Sequence, residues 1–148
     1  LSETSGTITH CPTSNLFLDS CYLNVHNARK PERPVNVGLA TDLGAGTSFS
    51  ILQTLNETYK AAQLNGNALS AGHAFYMATL GTAKALNIDD QLGNLDKGKE
   101  ADIVVLDMKS TPIIDYRMGY AKDFEERLLI LMTMGGDRAT APPMWRAS

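Results

Sequence analysis

Val35-Asn36-Val37-Gly38-Leu39-Ala40 is an apolar run of strand length, followed by a lone carboxylate, Asp42, and by the glycine-rich turn Gly44-Ala45-Gly46. An apolar run between turn signals is typical of a strand buried in a parallel sheet. Thr47 or Ser48 can then cap a helix, because a side-chain hydroxyl accepts from the free amides of a first helical turn. The stretch therefore predicts a strand, a loop and a helix that starts near Ser48.

Turn and capping residues divide the rest of the chain into further strands and helices. Asn65-Gly66-Asn67 ends the first helix, because Asn and Gly tolerate a left-handed residue there. Thr13-Ser14-Asn15 indicates a turn, and Thr111-Pro112 is expected to end a strand. The other predicted elements are a strand at 7–10, a helix capped by Ser70, a short helix at 83–86 after an interruption at Gly81, a strand at 101–107, and a helix at 123–134 with Phe124, Leu128 and Leu131 on one face. Strands that alternate with helices favour an α/β fold with a parallel sheet.

The composition is that of an ordinary globular domain. The chain has 148 residues, about one domain, with 43% hydrophobic and 20% charged residues and a net charge of −3. These values exclude a disordered chain, which combines fewer apolar residues with a higher charge. Nucleic-acid binding needs clustered Lys and Arg, and the longest basic clusters are Arg29-Lys30 and Lys97-Gly98-Lys99. We therefore expect no nucleic-acid partner.

The sequence contains no membrane or export signal that we can identify. Its best apolar stretch, residues 128–134, is far shorter than the ~20 residues that span a bilayer. The first ten residues are rich in Ser and Thr and lack the basic start and apolar run of a secretory signal. Cys11 and Cys21 form neither a CxxC pair nor a disulfide framework. We therefore expect a reducing, cytoplasmic setting without a membrane partner.

Asp42 is the residue whose position indicates chemistry. It follows a buried strand, and the carboxyl ends of parallel strands are where barrels and open sheets bind ligands. A carboxylate there can coordinate a metal ion or accept a proton from a bound water. The other interpretation is a turn or helix-cap residue, since Asp commonly bonds its own backbone in turns.

The turn Gly44-Ala45-Gly46 allows a second interpretation, a phosphate cradle between a strand and a helix. The dinucleotide motif G-x-G-x-x-G would place its third Gly at Phe49, and a P-loop would need a Lys that this turn lacks. His10, Cys11 and Ser14 match neither a zinc site of spaced pairs nor a nucleophile elbow. A nucleotide-binding α/β module without catalytic activity is therefore kept as an alternative.

Five segments of the chain together resemble guanine deaminases of the amidohydrolase superfamily, near the C-terminal end of those proteins. The resemblance covers roughly residues 1–138 and is dense enough to be specific. The matching segments are residues 10–18 (HCPTSNLFL), 37–50 (VGLATDLGAGTSFS), 52–57 (LQTLNE), 78–81 (ATLG) and 93–106, which begins GNL and ends GKEADIVVL.

The resemblance implies the C-terminal part of a metal-dependent (β/α)8 TIM-type barrel, with strands of a small β-rich domain. Residues 1–92 would form the last strands and helices of the barrel. Residues 93–148 would hold a strand of the small domain and the C-terminal helix. His10 would end the seventh strand region and Asp42 would cap the eighth. The chain is too short for a whole barrel, which takes ~250 residues.

The resemblance also implies a zinc site, of which this chain holds one ligand. Family members bind zinc through an H-x-H pair on the first strand, a further His and the eighth-strand Asp. The sequence contains Asp42 but no H-x-H, so the remaining ligands are expected upstream of Leu1. The resemblance assigns metal ligation, catalysis and substrate contact to Asp42, and it implies no other cofactor.

The implied activity is that of a hydrolase that deaminates guanine to xanthine and ammonia. Asp42 would take a proton from the attacking water and help to deliver it toward the leaving group. The P-C-x-x-C signature of cytidine-type zinc deaminases is absent. The full enzyme is expected to be a homodimer with a small-molecule purine substrate, whereas the 148-residue chain alone is expected to be inactive and to self-associate.

Some features depart from the family pattern and leave alternatives open. Gly81-Thr82 stands where the family has two glycines, Gly135-Gly136-Asp137-Arg138 replaces a Gly-Asp-Asp-Arg run, and residues 139–148 replace a closing strand. Another aminohydrolase of the superfamily, acting on a triazine, a pterin or a different purine, is the nearest alternative. A non-catalytic oligomerisation piece is a third, because apolar helix faces would lack barrel partners.

Overall fold

The computed structural model describes residues 6–20, 23–32 and 34–140, so Cys21 and the unusual residues 141–148 lie outside the described part. No helix in the described part is long and apolar enough to cross a membrane. In chain order the elements are β1 (Thr7–His10), α1 (Pro12–Phe17), α2 (Val25–Ala28), β2 (Asn36–Leu39), α3 (Ile51–Leu64), α4 (Ala71–Ala78), α5 (Leu80–Leu86), α6 (Pro112–Met118), α7 (Phe124–Met134) and a 3-10 turn at Asp137–Ala139.

The two strands form a parallel pair, as the sequence predicts. Ile8 lies opposite Val37, and His10 lies opposite Leu39. Val37 and Leu39 are buried, because helices cover the sheet. The connection between the strands contains α1 and α2, and a long helical connection is the kind of crossover that parallel pairing needs. Within the described residues, neither outer edge of the pair carries a further strand.

Helix α3 forms between the predicted cap and the predicted turn, but it begins later than expected. Ser50 is the N-cap and accepts a hydrogen bond from the Gln53 amide at 3.4 Å, so the predicted cap at Thr47 or Ser48 is wrong. Ser48 instead accepts from the Ser50 amide at 3.0 Å, which shapes the preceding loop. The helix ends at Leu64, and Gly66 adopts the left-handed conformation, as the turn signal predicts.

The core lies where α3, α4 and α7 meet over β2. Leu55, Met77 and Leu131 are at most 1% exposed, and they belong to one apolar cluster with Val37. The Glu125 carboxylate of α7 accepts from the Gly72 amide at the start of α4 at 3.1 Å. A negative charge at a helix N-terminus is favourable, so this contact joins the two helices.

Helix α5 packs against β2 at a glycine. A Cβ added at Gly38 would lie 3.2 Å from Thr82 Oγ1 and 3.3 Å from Ala85 Cβ, so the helix rests close to the strand. Thr82 Oγ1 accepts from the Leu39 amide at 2.9 Å and donates to the Met77 carbonyl at 2.6 Å. One hydroxyl therefore connects β2 and α4 to α5.

Three short helices correct the sequence predictions. The predicted turn at Thr13-Ser14-Asn15 lies inside α1, and α2 was not predicted. Thr111 and Pro112 begin α6: the Thr111 hydroxyl accepts from the Ile114 amide at 3.3 Å, and proline suits the first helical position.

The helix break predicted at Gly81 falls at Thr79, whose φ and ψ are −123° and −104°. Phe124, predicted on the apolar face of α7, is 64% exposed.

The strand predicted at residues 101–107 is wrong. Residues 101–105 carry no strand assignment, and Val104 is 71% exposed. The described residues offer this segment one antiparallel bridge, between Leu106 and Thr140, and no ladder. The main-chain N–H and C=O groups of a strand need a neighbouring strand to bond to. A run of β-branched residues favours extended backbone but does not create that neighbour. Helix α7 packs on α3 and α4, and the division at residues 92 and 93 stays a prediction.

Candidate active site at the carboxyl ends of the strands

Asp42 is the third residue after β2 and lies exposed at the carboxyl end of the sheet. Its φ is +48°, a left-handed conformation that is uncommon outside glycine but that Asp tolerates. The Asp42 carbonyl accepts from the Ala45 and Gly46 amides at 3.1 and 2.6 Å. The backbone of this residue therefore closes the turn, while its carboxylate makes no hydrogen bond within the described residues.

Gly46 is required by that turn. A Cβ at this position would lie 2.2 Å from the Thr41 carbonyl oxygen, far inside contact distance. Gly44 has a φ of +116°, which favours glycine. The two glycines thus allow the chain to fold back beneath Asp42, and this determines where the carboxylate lies.

Cys11 follows β1 and lies at the same end of the sheet. Burial raises the pKa of its thiol, and the negative charge of Asp42 raises it further. The Asp42 charge acts on this thiol because parallel neighbouring strands bring their carboxyl ends together. The site therefore draws one polar side chain from the end of each strand, and the thiol is held in its protonated form.

His10 is the last residue of β1, but its side chain lines a cavity that Asp42 does not reach. It is 2% exposed, and neither ring nitrogen has a hydrogen-bond partner among the described residues. Burial lowers the pKa of its imidazole to about 4, so the ring is neutral at pH 7. His10 contacts a cavity that also touches His26 and His73, a grouping that sequence reasoning missed because the three are far apart in the chain.

The described part of the chain does not hold a complete metal site. In residues 6–20, 23–32 and 34–140, no group of three or more His, Cys, Asp or Glu side chains lies close enough together to bind an ion. A catalytic zinc takes about three protein ligands and a water. Asp42 has the right donor chemistry and an exposed position, so it fits as one ligand of a larger set.

The turn beside Asp42 is poorly suited to cradle a phosphate. The amides of Ala45 and Gly46 already donate to the Asp42 carbonyl, and the Gln53 amide of the first turn of α3 donates to Ser50. A cradle needs such amides to point at the ligand. Their internal use argues against the nucleotide-binding alternative.

A comparison with protein families identifies the family of this chain. Residues 1–135 match the Amidohydrolase family. The chain belongs to this family. It is 50% identical over 139 residues to guanine deaminase of Escherichia coli K12, an alignment that covers 94% of this chain and 31% of the relative.

Solved structures give the same result. The structure of the Escherichia coli guanine deaminase matches with a TM-score of 0.90 at 49% identity, over 95% of this chain and 32% of that chain. A guanine deaminase from C. acetobutylicum with guanine in its active site matches with a TM-score of 0.73 at 29% identity, over 93% and 32%. An adenosine deaminase from Xanthomonas campestris with bound zinc matches with 0.73 at 25%, over 90% and 29%. The chain thus spans about a third of the length of these proteins.

Proposed function

We propose that this chain forms the C-terminal part of a zinc-dependent guanine deaminase, a hydrolase that converts guanine to xanthine and ammonia. The observation that carries the proposal is the 50% identity to the Escherichia coli enzyme across nearly the whole chain. The lone carboxylate at the end of β2 supports it, because it lies at the edge where barrel enzymes bind their ligands.

In this proposal β1 and β2 are the seventh and eighth strands of a (β/α)8 barrel. Their parallel pairing and the helices packed against β2 support the assignment. Two strands cannot close a barrel, and neither outer edge carries a further strand among the described residues. Exposed side chains such as Phe49 (84%) and Leu95 (81%) leave apolar surface for other parts of the protein to cover.

Asp42 is proposed to hold zinc and to move a proton. Zinc, when bound, makes water acidic enough to react near neutral pH. The carboxylate has lone pairs for the ion on one oxygen and for a proton on the other. Its position at the tip of a glycine-shaped turn leaves both oxygens open to a ligand. Asp42 would accept the proton of the attacking water and pass it to the departing amino group, which leaves as ammonia.

The proposal also covers the missing ligands, the domain division, the oligomeric state and the location of the enzyme. The remaining zinc ligands and most purine contacts would come from residues outside this chain. The division into a barrel part, 1–92, and a small-domain part, 93–148, is proposed on the same resemblance. A homodimeric enzyme in the cytoplasm is proposed as well, and the chain alone is expected to lack activity.

The test uses the protein that joins this chain to the upstream portion of its relatives. Asp42→Asn keeps the side-chain shape but removes the charge and the basic oxygen. We expect ammonia release from guanine to fall by at least about 10²–10⁴-fold, the usual effect of losing a positioned acid–base group, and bound zinc to decrease. Asp90→Asn, a change at an exposed turn, is the matched control and should leave both measurements unchanged.

Three outcomes would overturn parts of the proposal. An unchanged rate in Asp42→Asn would remove the role of this carboxylate. Faster ammonia release from adenosine than from guanine would favour a different aminohydrolase of the superfamily. Deamination of guanine by the 148-residue chain alone would show that a single carboxylate suffices, contrary to the number of ligands that a catalytic zinc needs.

A further inference from the structure

A cavity of about 320 Å³ lies on the helix side of β1, away from Asp42. Its walls come from α2, α3, the following loop and α4, and they include apolar side chains such as Leu23, Ala62 and Leu69. Among the described residues that line it, no carboxylate occurs, whereas five residues carry a basic or imidazole group. These five are His10, His26, Arg29, Lys30 and His73. The cavity is therefore apolar in its walls and basic in its polar groups.

His10 brings unsatisfied hydrogen-bonding groups to this cavity. Its ring is 2% exposed, and both nitrogens lack partners within the described part of the chain. A buried polar group without a partner is energetically unfavourable, so native structures seldom leave one unsatisfied. A ligand with an acceptor atom in the cavity would provide a partner for the ring N–H.

Arg29 supplies a positive charge at the same cavity, beside the imidazole of His73. Arg29 Nη1 contacts His73 Nε2, and the Arg29 guanidinium lies 5.9 Å from the centre of the Tyr76 ring. Burial, and next the charge of Arg29, lower the pKa of the His73 imidazole. No carboxylate forms a salt bridge with Arg29 among the described residues. A guanidinium that has no counterion among the described residues is suited to bind a carboxylate or phosphate.

We propose that this cavity binds a small organic anion, with its carboxylate or phosphate on Arg29 and His73, its apolar body against Ala62 and Leu69, and an acceptor atom on His10. The volume lies at the lower end of the range for small-molecule sites, about 300–1,000 Å³, which suits a ligand of about one ring. The proposal is independent of the deaminase function, because Asp42 takes no part in the cavity.

The test is a calorimetric titration of the purified protein that carries this chain. Phenyl phosphate and benzoate are the probes, inorganic phosphate is the anion without an apolar body, and benzyl alcohol is the ring without a charge. We expect one of the two organic anions to bind at least about tenfold more tightly than either partial probe, because charge-assisted bonds and apolar burial then act together. The head group of the tighter probe identifies the natural one.

Substitutions locate the site. Arg29→Gln and His73→Asn should each weaken binding of the tighter probe by about tenfold. Both residues are exposed, so the fold should tolerate the changes, which the melting curve checks. Lys84→Gln removes the same charge from an exposed position on α5 and should leave the affinity unchanged. In NMR spectra, the ring signals of His10 should shift as the probe is added.

The results that would overturn the proposal are equally concrete. The proposal is wrong if neither organic anion binds at millimolar concentration. It is also wrong if benzyl alcohol or inorganic phosphate binds as tightly as the organic anions, or if Arg29→Gln and His73→Asn leave the affinity unchanged. Probe binding without any shift of the His10 ring signals would place the ligand elsewhere and would also overturn it.

Discussion

Two segments of this chain, β2 and residues 101–107, have similar apolar composition and opposite surroundings. β2 pairs with β1 on one edge and is covered by α4 and α5, so Val37 is 6% exposed. Residues 101–107 form one main-chain bridge within the described residues, from Leu106 to Thr140; Leu106 also packs against the core, whereas Val104 is 71% exposed. The difference shows that a strand pattern creates a requirement for partners, and among the described residues only the first segment pairs with another strand.

The largest effect should come from placing a charge in each segment. Val37→Asp puts a carboxylate in the core without a partner, and we expect a loss of about 3–5 kcal/mol in the free energy of unfolding. Val104→Asp places the same charge in solvent and should change it by less than about 0.5 kcal/mol. Urea unfolding of the two variants beside the unmodified chain measures both values.

The Val104→Asp variant can contradict this comparison directly. A cost above about 1 kcal/mol for Val104→Asp would show that residues 101–107 are packed against another part of the protein or against a second copy. Addition of the upstream portion of the relatives should raise the cost of Val104→Asp if that portion covers the segment.

The second effect is a pH dependence carried by His10, the last residue of β1, which pairs with β2. Burial lowers the pKa of its imidazole to about 4, from an ordinary value of about 6.5. Between these values the unfolded chain binds a proton that the folded chain does not, so stability falls as the pH falls. We expect a slope of about 1.4 kcal/mol per pH unit, or about 3 kcal/mol in total, and no contribution from this ring above pH 6.5.

His10→Gln removes the titrating ring and should flatten the stability profile between pH 6.5 and pH 4. His26→Gln, a change at an exposed histidine, is the matched control and should keep the slope. Equal slopes in the unmodified chain and in His10→Gln would contradict the burial of a neutral imidazole. Urea midpoints at half-unit steps of pH give the comparison.

A third effect tests the turn that follows β2. Gly46→Ala brings a Cβ to 2.2 Å from the Thr41 carbonyl oxygen, so the turn must shift, at a cost of about 1–3 kcal/mol. Gly136→Ala is the control outside the paired segment, because no atom lies within 4 Å of its added Cβ and its φ of −154° is extended backbone. The control should change stability by less than about 0.5 kcal/mol. A tolerated Gly46→Ala would show that the loop carrying Asp42 is not constrained.

The sequence predicts elements well where a local signal and a tertiary partner agree. β1, β2, α3, α4 and α7 form where apolar spacing and turn residues place them, and their faces meet in one core. The sequence does not predict helices α1 and α6, because Thr13-Ser14-Asn15 indicates a turn and Thr111-Pro112 the end of a strand. Proline also suits a first helical turn, and both helices begin with one.

The functional residues also differ in how far the sequence predicts them. The position of Asp42 can be predicted, because it depends on one strand and the turn that follows. The grouping of His10, Arg29 and His73 cannot be predicted from spacing, since it requires β1, the end of α2 and α4 to meet around one cavity. The missing ladder of residues 101–107 could not be predicted either, because branched residues report what a segment favours and not whether a partner exists.

The smallest effect concerns two helix caps, one inside the packed region and one beside it. Ser70 accepts from the His73 amide at 3.2 Å and starts α4, in which Ala74 and Met77 are fully buried. Ser70→Ala should therefore lower global stability by about 1 kcal/mol. Thr111 caps α6, where Ile114 is the one buried residue, so this helix can open without the core.

Thr111→Ala should accordingly change the free energy of unfolding by less than about 0.5 kcal/mol, while hydrogen exchange of the α6 amides becomes faster. Ser70→Ala should change exchange across the whole core, because α4 opens only when α3 and α7 separate from it. Equal global costs for the two substitutions would show that α6 unfolds together with the core. The part of the chain that unfolds cooperatively would then include α6, and residues 101–107 would be the segment left outside it.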